Sequence, residues 1–170
     1  MEERLPSVLA QQEAARSGPR DEPAYDVIEL LFFAYRDFVG DADRLLADYG
    51  FGRAHHRVLH FVNRRPGLTI AELLDLLRIT KQSLNRVLKD LVDQAFIEQR
   101  AGTVDRRQRH LYSTERGAAL ALEISHLQSM RIGRALRSCP PGTRDVATVF
   151  LEAMIDPVDR PRSARRGSQR

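Results

Sequence analysis

Hydrophobic positions recur at helical spacing along most of this chain. Ile70, Leu73, Leu74 and Leu77 fall at i, i+3, i+4 and i+7, which is one face of a helix. Thr69 stands ahead of them as N-cap, and Glu72, three residues on, completes a capping-box pattern. Leu84, Val87, Leu88 and Leu91 repeat the arrangement behind a second cap, Thr80. The opposite face of that second helix carries Lys81, Gln82, Ser83, Asn85, Arg86 and Lys89. Only Arg78, Ile79 and Thr80 separate the two helices, a connection short enough for a helix-turn-helix. The pattern then becomes extended. Phe96 to Ala101 and Arg109 to Ser113 bracket the loop Gly102-Thr103-Val104-Asp105-Arg106-Arg107, which predicts a β-hairpin.

Helices flank this unit on both sides. Pro23 suits a first turn, and Tyr25 to Tyr49 is a long helical pattern whose Val27, Ile28, Leu30, Leu31, Phe32 and Phe33 are apolar nearly all round. Arg53 to Arg65 forms a second helix, stopped by Pro66-Gly67. Thr114 to Arg137 is another long helix with Leu120, Ile124 and Leu127 on one stripe, broken at Cys139-Pro140-Pro141-Gly142. Thr143 to Ile155 is the last, with Val146, Val149, Phe150 and Met154 as its apolar side. The first, fifth and sixth helices carry more apolar surface than one small domain covers. A symmetric dimer would bury it and set two recognition helices about one DNA turn, roughly 34–36 Å, apart.

The expected fold is therefore mainly α: a winged helix-turn-helix DNA-binding unit with a small β-hairpin wing, plus N- and C-terminal helices forming a dimerisation region. By residue, 1–22 reads as a disordered tail, 23–52 as a dimerisation helix and 53–117 as the winged unit, its wing at 97–113. Residues 118–155 read as further dimerisation helices and 156–170 as a basic flexible tail.

Charge sharpens this picture. The 170 residues carry a formal net charge of +4, and the segment Arg78 to His110 alone holds eight Lys or Arg against four Asp or Glu. Positive charge gathered on one unit is a footprint for a polyanion. The side chains suit duplex DNA, because Gln and Asn can bond adenine edges, Arg guanine, and Lys or Thr phosphates. Asp21 to Tyr49 is the reverse, with eight acidic and two basic residues, and is expected in an interface away from DNA. The tail from Pro157 holds five arginines and one aspartate, either a solubilising end or a source of nonspecific phosphate contacts. No apolar run is long enough to span a bilayer, and Met1-Glu2-Glu3-Arg4 lacks the start of a signal peptide. One cysteine, Cys139, suits a reducing cytoplasm.

From about Phe51 to Gly117 the chain resembles the multiple-antibiotic-resistance-regulator (MarR) family of bacterial winged helix-turn-helix repressors. The most specific residues are Asp105-Arg106-Arg107 followed by Thr114-Glu115-Arg116-Gly117, where the family shows an Asp-Arg-Arg wing and then Leu-Thr-x-x-Gly. Thr69-Ile70-x-x-Leu73-Leu74 and Lys81-Gln82-Ser83-Leu84 fit its paired helices. Ser113 stands where the family usually has Leu, and Ala95 where Gly usually ends the recognition helix. The resemblance implies a homodimer on a pseudo-palindromic operator, repression of transcription, and a wing arginine in the minor groove, with Asp105 orienting Arg106 and Arg107. The expected DNA contacts are Thr80, Lys81, Gln82, Ser83, Asn85, Arg86, Lys89, Asp105, Arg106 and Arg107.

The family also implies a cleft for a small aromatic or phenolic effector, with Tyr35, Phe38, His56 and His60 as candidate lining residues. His55, His56 and His60 form a ligand-like cluster that Asp48 or Glu72 could join, but paired Cys and HExxH are absent, and no metal or other cofactor is expected. Metal- or redox-responsive regulation on the same fold remains an alternative, as does a winged helix used for protein contact. Cys139 has only Arg134 and Arg137 nearby to lower its pKa and reads as passive. Nucleophile elbow, Gly-rich phosphate loop and metal-hydrolase motifs are all missing, so an enzyme is not expected.

Overall fold

The computed structural model describes residues 23–102 and 108–156. In chain order the elements are α1 (Tyr25–Ala47), α2 (Arg53–Arg64), β1 (Leu68–Thr69), α3 (Ile70–Leu77), α4 (Lys81–Asp93), β2 (Ile97–Ala101), β3 (Arg109–Ser113), α5 (Glu115–Arg137) and α6 (Thr143–Met154). Two units divide the chain, one ending at Arg36 and one beginning at Asp37. In the first, Tyr25, Leu30, Phe32, Phe33 and Tyr35 are exposed along α1, with the Arg36 guanidinium over the Phe33 ring.

The second unit has one apolar core. Leu46 from α1, Val58, Leu59 and Val62 from α2, and Leu73 and Leu77 from α3 are buried there. Leu84, Leu88 and Leu91 from α4 join them, with Phe96, Ile97, Leu111, Leu120 and Ile124. Each such side chain contributes roughly 1.5–3 kcal/mol by leaving water, so the periodic positions fix which face of every helix turns inward. On α5, burial runs through Gly117, Leu120, Ala121, Ile124 and Gln128, then gives way to exposed Met130 and Ile132. On α6 no residue is buried, and Val146 (69%) and Val149 (67%) lie open.

The caps read in the sequence are present. Thr69 Oγ1 accepts from Glu72 N–H while the Glu72 carboxylate takes Thr69 N–H at 2.8 Å, which satisfies two donors at the start of α3. That bonding holds the Glu72 carboxyl below its ordinary pKa. Thr80 caps α4 the same way, accepting from Ser83 N–H. Between the helices, Arg78 takes the left-handed conformation at φ 52°. A second left-handed residue, Ala95 at φ 58°, turns the chain from α4 into the wing.

The hairpin is antiparallel, with Ile97 opposite Ser113 and Ala101 opposite Arg109. It is the larger part of a three-stranded sheet ordered β1-β3-β2. The short third strand, too brief to show a period in the sequence, pairs Leu68 with Leu111 and Thr69 with His110. The His110 Nδ1–H donates to Gly67 O at 2.8 Å and ties the turn before β1 to the wing. Leu111 is the fully buried anchor of β3. At Ser113, where a leucine was the family expectation, the hydroxyl is buried without a hydrogen-bond partner among the described residues.

Candidate nucleic-acid interface

Helix α4 has two chemically distinct faces. Leu84, Val87, Leu88 and Leu91 are buried, and Lys81, Gln82, Ser83, Asn85, Arg86 and Lys89 are exposed. Because 3.6 residues make a turn, the polar set forms one continuous surface from the first turn onward. Donors and acceptors of every type needed at a major-groove edge therefore project from a helix whose orientation is set by four core leucines and valines. Thr80 is exposed beside them, but its hydroxyl already accepts Ser83 N–H and donates to Ser83 Oγ at 2.9 Å. Lys89 is ion-paired with Asp93, which raises its pKa on a fully exposed side chain.

Neighbouring elements fix this helix from behind. His55 Nδ1 accepts Gly52 N–H at 3.1 Å, so its Nε2–H faces the Asp90 carboxylate on α4 at 3.2 Å. Its ring stacks on Phe51 with centroids 4.7 Å apart. Arg57 Nη2 donates to Leu77 O at 2.8 Å and closes the end of α3. In the wing, Gly102 N–H donates to Gln108 O at 3.0 Å, and Arg109 is exposed on β3. Arg100 lies 4.3 Å over the Tyr112 ring and bonds Glu98, so its charge is already partnered. Asp105, Arg106 and Arg107 fall outside the described residues.

The histidine cluster divides. His56 and His60 face each other edge-on with ring centroids 6.4 Å apart, while His55 is committed to Gly52 and Asp90. Burial lowers the pKa of both His56 and His60. His60 adds to the depression at His56 and Asp43 opposes it, whereas Arg64 and Arg65 add to the depression at His60. Asp43 takes Arg53 Nε–H on one oxygen at 2.9 Å, and its other oxygen is buried without a partner among the described residues. Phe38 is half-buried on α1 and Tyr35 is exposed there. Glu72 is engaged in its cap rather than beside the histidines. Among the described residues, no group of three His, Cys, Asp or Glu could hold a metal ion. Cys139 is exposed.

Two side chains that brace this surface take partners that local sequence does not indicate. His55 lies three residues after Gly52, a capping distance, but its partner on α4 is distant in sequence. Arg116 donates to Gln94 O at the end of α4 and has no periodic or motif cue of its own.

Residues 49–108 match the MarR family profile. The chain is 49% identical over 140 residues to the HTH-type transcriptional regulator PetP of Rhodobacter capsulatus, covering 82% of this chain and 84% of that protein. Among solved structures, Streptococcus pneumoniae FabT in complex with DNA superposes with a TM-score of 0.68 at 15% identity, covering 76% of this chain and 92% of that one. A MarR transcriptional regulator from Methanosarcina mazei matches with a TM-score of 0.62 at 24% identity, over 76% of this chain and 91% of that one. No helix of the described residues is long and apolar enough to cross a membrane.

Proposed function

This chain belongs to the MarR family of DNA-binding winged helix-turn-helix transcriptional regulators, and from that premise we propose that it is a cytoplasmic, homodimeric repressor that reads a pseudo-palindromic operator through α4. The observation that carries the proposal is the two-faced α4, with an unbroken polar surface opposite four buried apolar residues. Lys81, Gln82, Ser83, Asn85 and Arg86 face the major groove, and Thr80 and Lys89 flank the phosphates. Arg106 and Arg107, oriented by Asp105, grip beyond them. Phosphate contacts set register, and the Gln, Asn and Arg side chains supply base discrimination of about 1–3 kcal/mol each.

Homodimerisation is supported by apolar side chains left in water. Leu30, Phe32 and Phe33 on α1 and Val146, Val149, Phe150, Leu151 and Met154 on α6 are all exposed in the single chain. Exposed apolar residues gathered on single helices mark interaction surfaces. A second copy would cover them and place two recognition helices on one duplex. A small aromatic or phenolic effector is proposed to act through His56 and His60, whose charged forms burial disfavours, with Tyr35 and Phe38 as aromatic candidates. Such a ligand changes DNA affinity only by binding one dimer geometry better than the other.

The test is DNase protection of the DNA upstream of this protein's own gene at two salt concentrations. A two-fold-symmetric protected site that outlasts competitor DNA is expected. Featureless protection lost at the higher salt would leave only a basic surface and refute sequence-specific regulation.

A further inference from the structure

The joint between α4 and the wing is three residues long, and the N-cap and first turn of α5 hold all three of its carbonyls. Arg116 Nη1–H donates to Gln94 O at 2.8 Å. Thr114 Oγ1–H donates to Ala95 O at 2.7 Å, and Thr114 N–H donates to Phe96 O at 3.1 Å. Behind them, a Cβ built on Gly117 would lie 1.9 Å from Phe96 O, so α5 meets the joint with no slack. The Arg116 guanidinium also lies 4.2 Å over the Phe96 ring, and its own backbone continues into the long α5.

On the amide side, Gln94, Ala95 and Phe96 N–H groups donate back to Asp90, Val92 and Leu91 carbonyls of α4. The joint thus belongs mechanically to both helices. A planar, fork-shaped cation stacked on an aromatic ring and bonded to a helix-end carbonyl is directional in a way that one hydrogen bond is not. It also sits at the C-terminal end of α4, where a cation complements the helix dipole.

The geometry points to Arg116 as a positioning residue for DNA reading: it locks the tilt of α4 to α5 without touching DNA. Thr114 and Gly117 dock the two elements, and Arg116 fixes the angle between them. The inference rests on α4 being the DNA-reading helix. Any change in α5 orientation within a dimer then reaches the recognition helix through Gln94 and Phe96.

The test compares wild type with Arg116→Gln and Arg116→Lys on the duplex that the wild-type chain protects and on an unrelated duplex. Arg116→Gln is expected to bind the protected duplex on the order of tenfold more weakly, the size of a coupling loss. Its affinity for the unrelated duplex and its dependence of log affinity on log salt should be unchanged, and Arg116→Lys should recover part of the loss. Equal weakening on both duplexes with the salt slope smaller by about one would make Arg116 a phosphate contact and overturn the inference. Full affinity, or a loss that vanishes once the folded fraction is measured by stoichiometric titration, would overturn it too.

Amide exchange without DNA decides the clamp independently. Arg116→Gln should speed exchange at Ala95, Phe96 and the last turn of α4 while leaving α3 unchanged, and equal exchange in both proteins would refute it. A wild-type chain that protects no duplex would instead overturn the DNA-reading premise, with the exchange result still standing.

Discussion

Replacing Ala95 with glycine should make this protein more stable, although it removes a methyl group. Ala95 sits at φ 58° with its side chain exposed, just after the C-cap of α4. An L-residue in that left-handed region is crowded against its own following carbonyl, at a cost of roughly 1–2 kcal/mol that glycine does not incur. Glycine loses about 0.4–1 kcal/mol through the greater freedom of the unfolded chain. The exposed methyl contributes little burial, so the balance is a stabilisation of about 0.5–1 kcal/mol. Urea unfolding followed by far-UV circular dichroism reads it directly. With a slope of about 2 kcal/mol per molar, the midpoint should rise by roughly 0.3–0.5 M with the slope unchanged. Ala95→Val supplies the opposite sign, because a β-branched residue tolerates positive φ least. A midpoint that stays put or falls in Ala95→Gly, or a neutral Ala95→Val, would refute the reasoning.

Gly117→Ala should destabilise by about 3 kcal/mol or more, because its methyl would overlap the Phe96 carbonyl and neither backbone can retreat. A melt midpoint within a degree of wild type would contradict that contact. His56 and His60 have folded-state pKa values below the ordinary 6.5, so the unfolded chain takes up their protons first. Stability from these groups is complete above that value and declines as pH falls from about 6.5 toward the depressed folded values. Melting midpoints between pH 7.5 and 5 should show the fall, and a His56→Gln/His60→Gln variant should flatten it.

Much of the winged unit was legible because its signals are local. The i, i+3, i+4, i+7 leucines and the Thr69 and Thr80 caps each depend on residues within two turns of one another, and all are found as expected. Strand β1 was not legible, since two residues show no period and Thr69 already had a role as a cap. The three histidines looked alike in sequence. What separates His55 is an Asp90 carboxylate 35 residues away, and what engages Arg116 is a carbonyl 22 residues back. The substitution of Gly by Ala at position 95 was visible as a departure, but only the structure shows the chain taking positive φ there regardless. Ser113 likewise departs from Leu, and Leu111 carries the burial on that strand instead.

The most direct test of the central claim, that α4 reads DNA sequence, is a specificity profile. Affinities for every single base-pair change within the protected site are measured for wild type, Asn85→Ala and Arg86→Ala. Each variant should lose about 1–3 kcal/mol on the intact site and stop discriminating at one symmetric pair of positions, with discrimination elsewhere preserved. Uniform weakening at every position, or profiles that match wild type, would contradict the account.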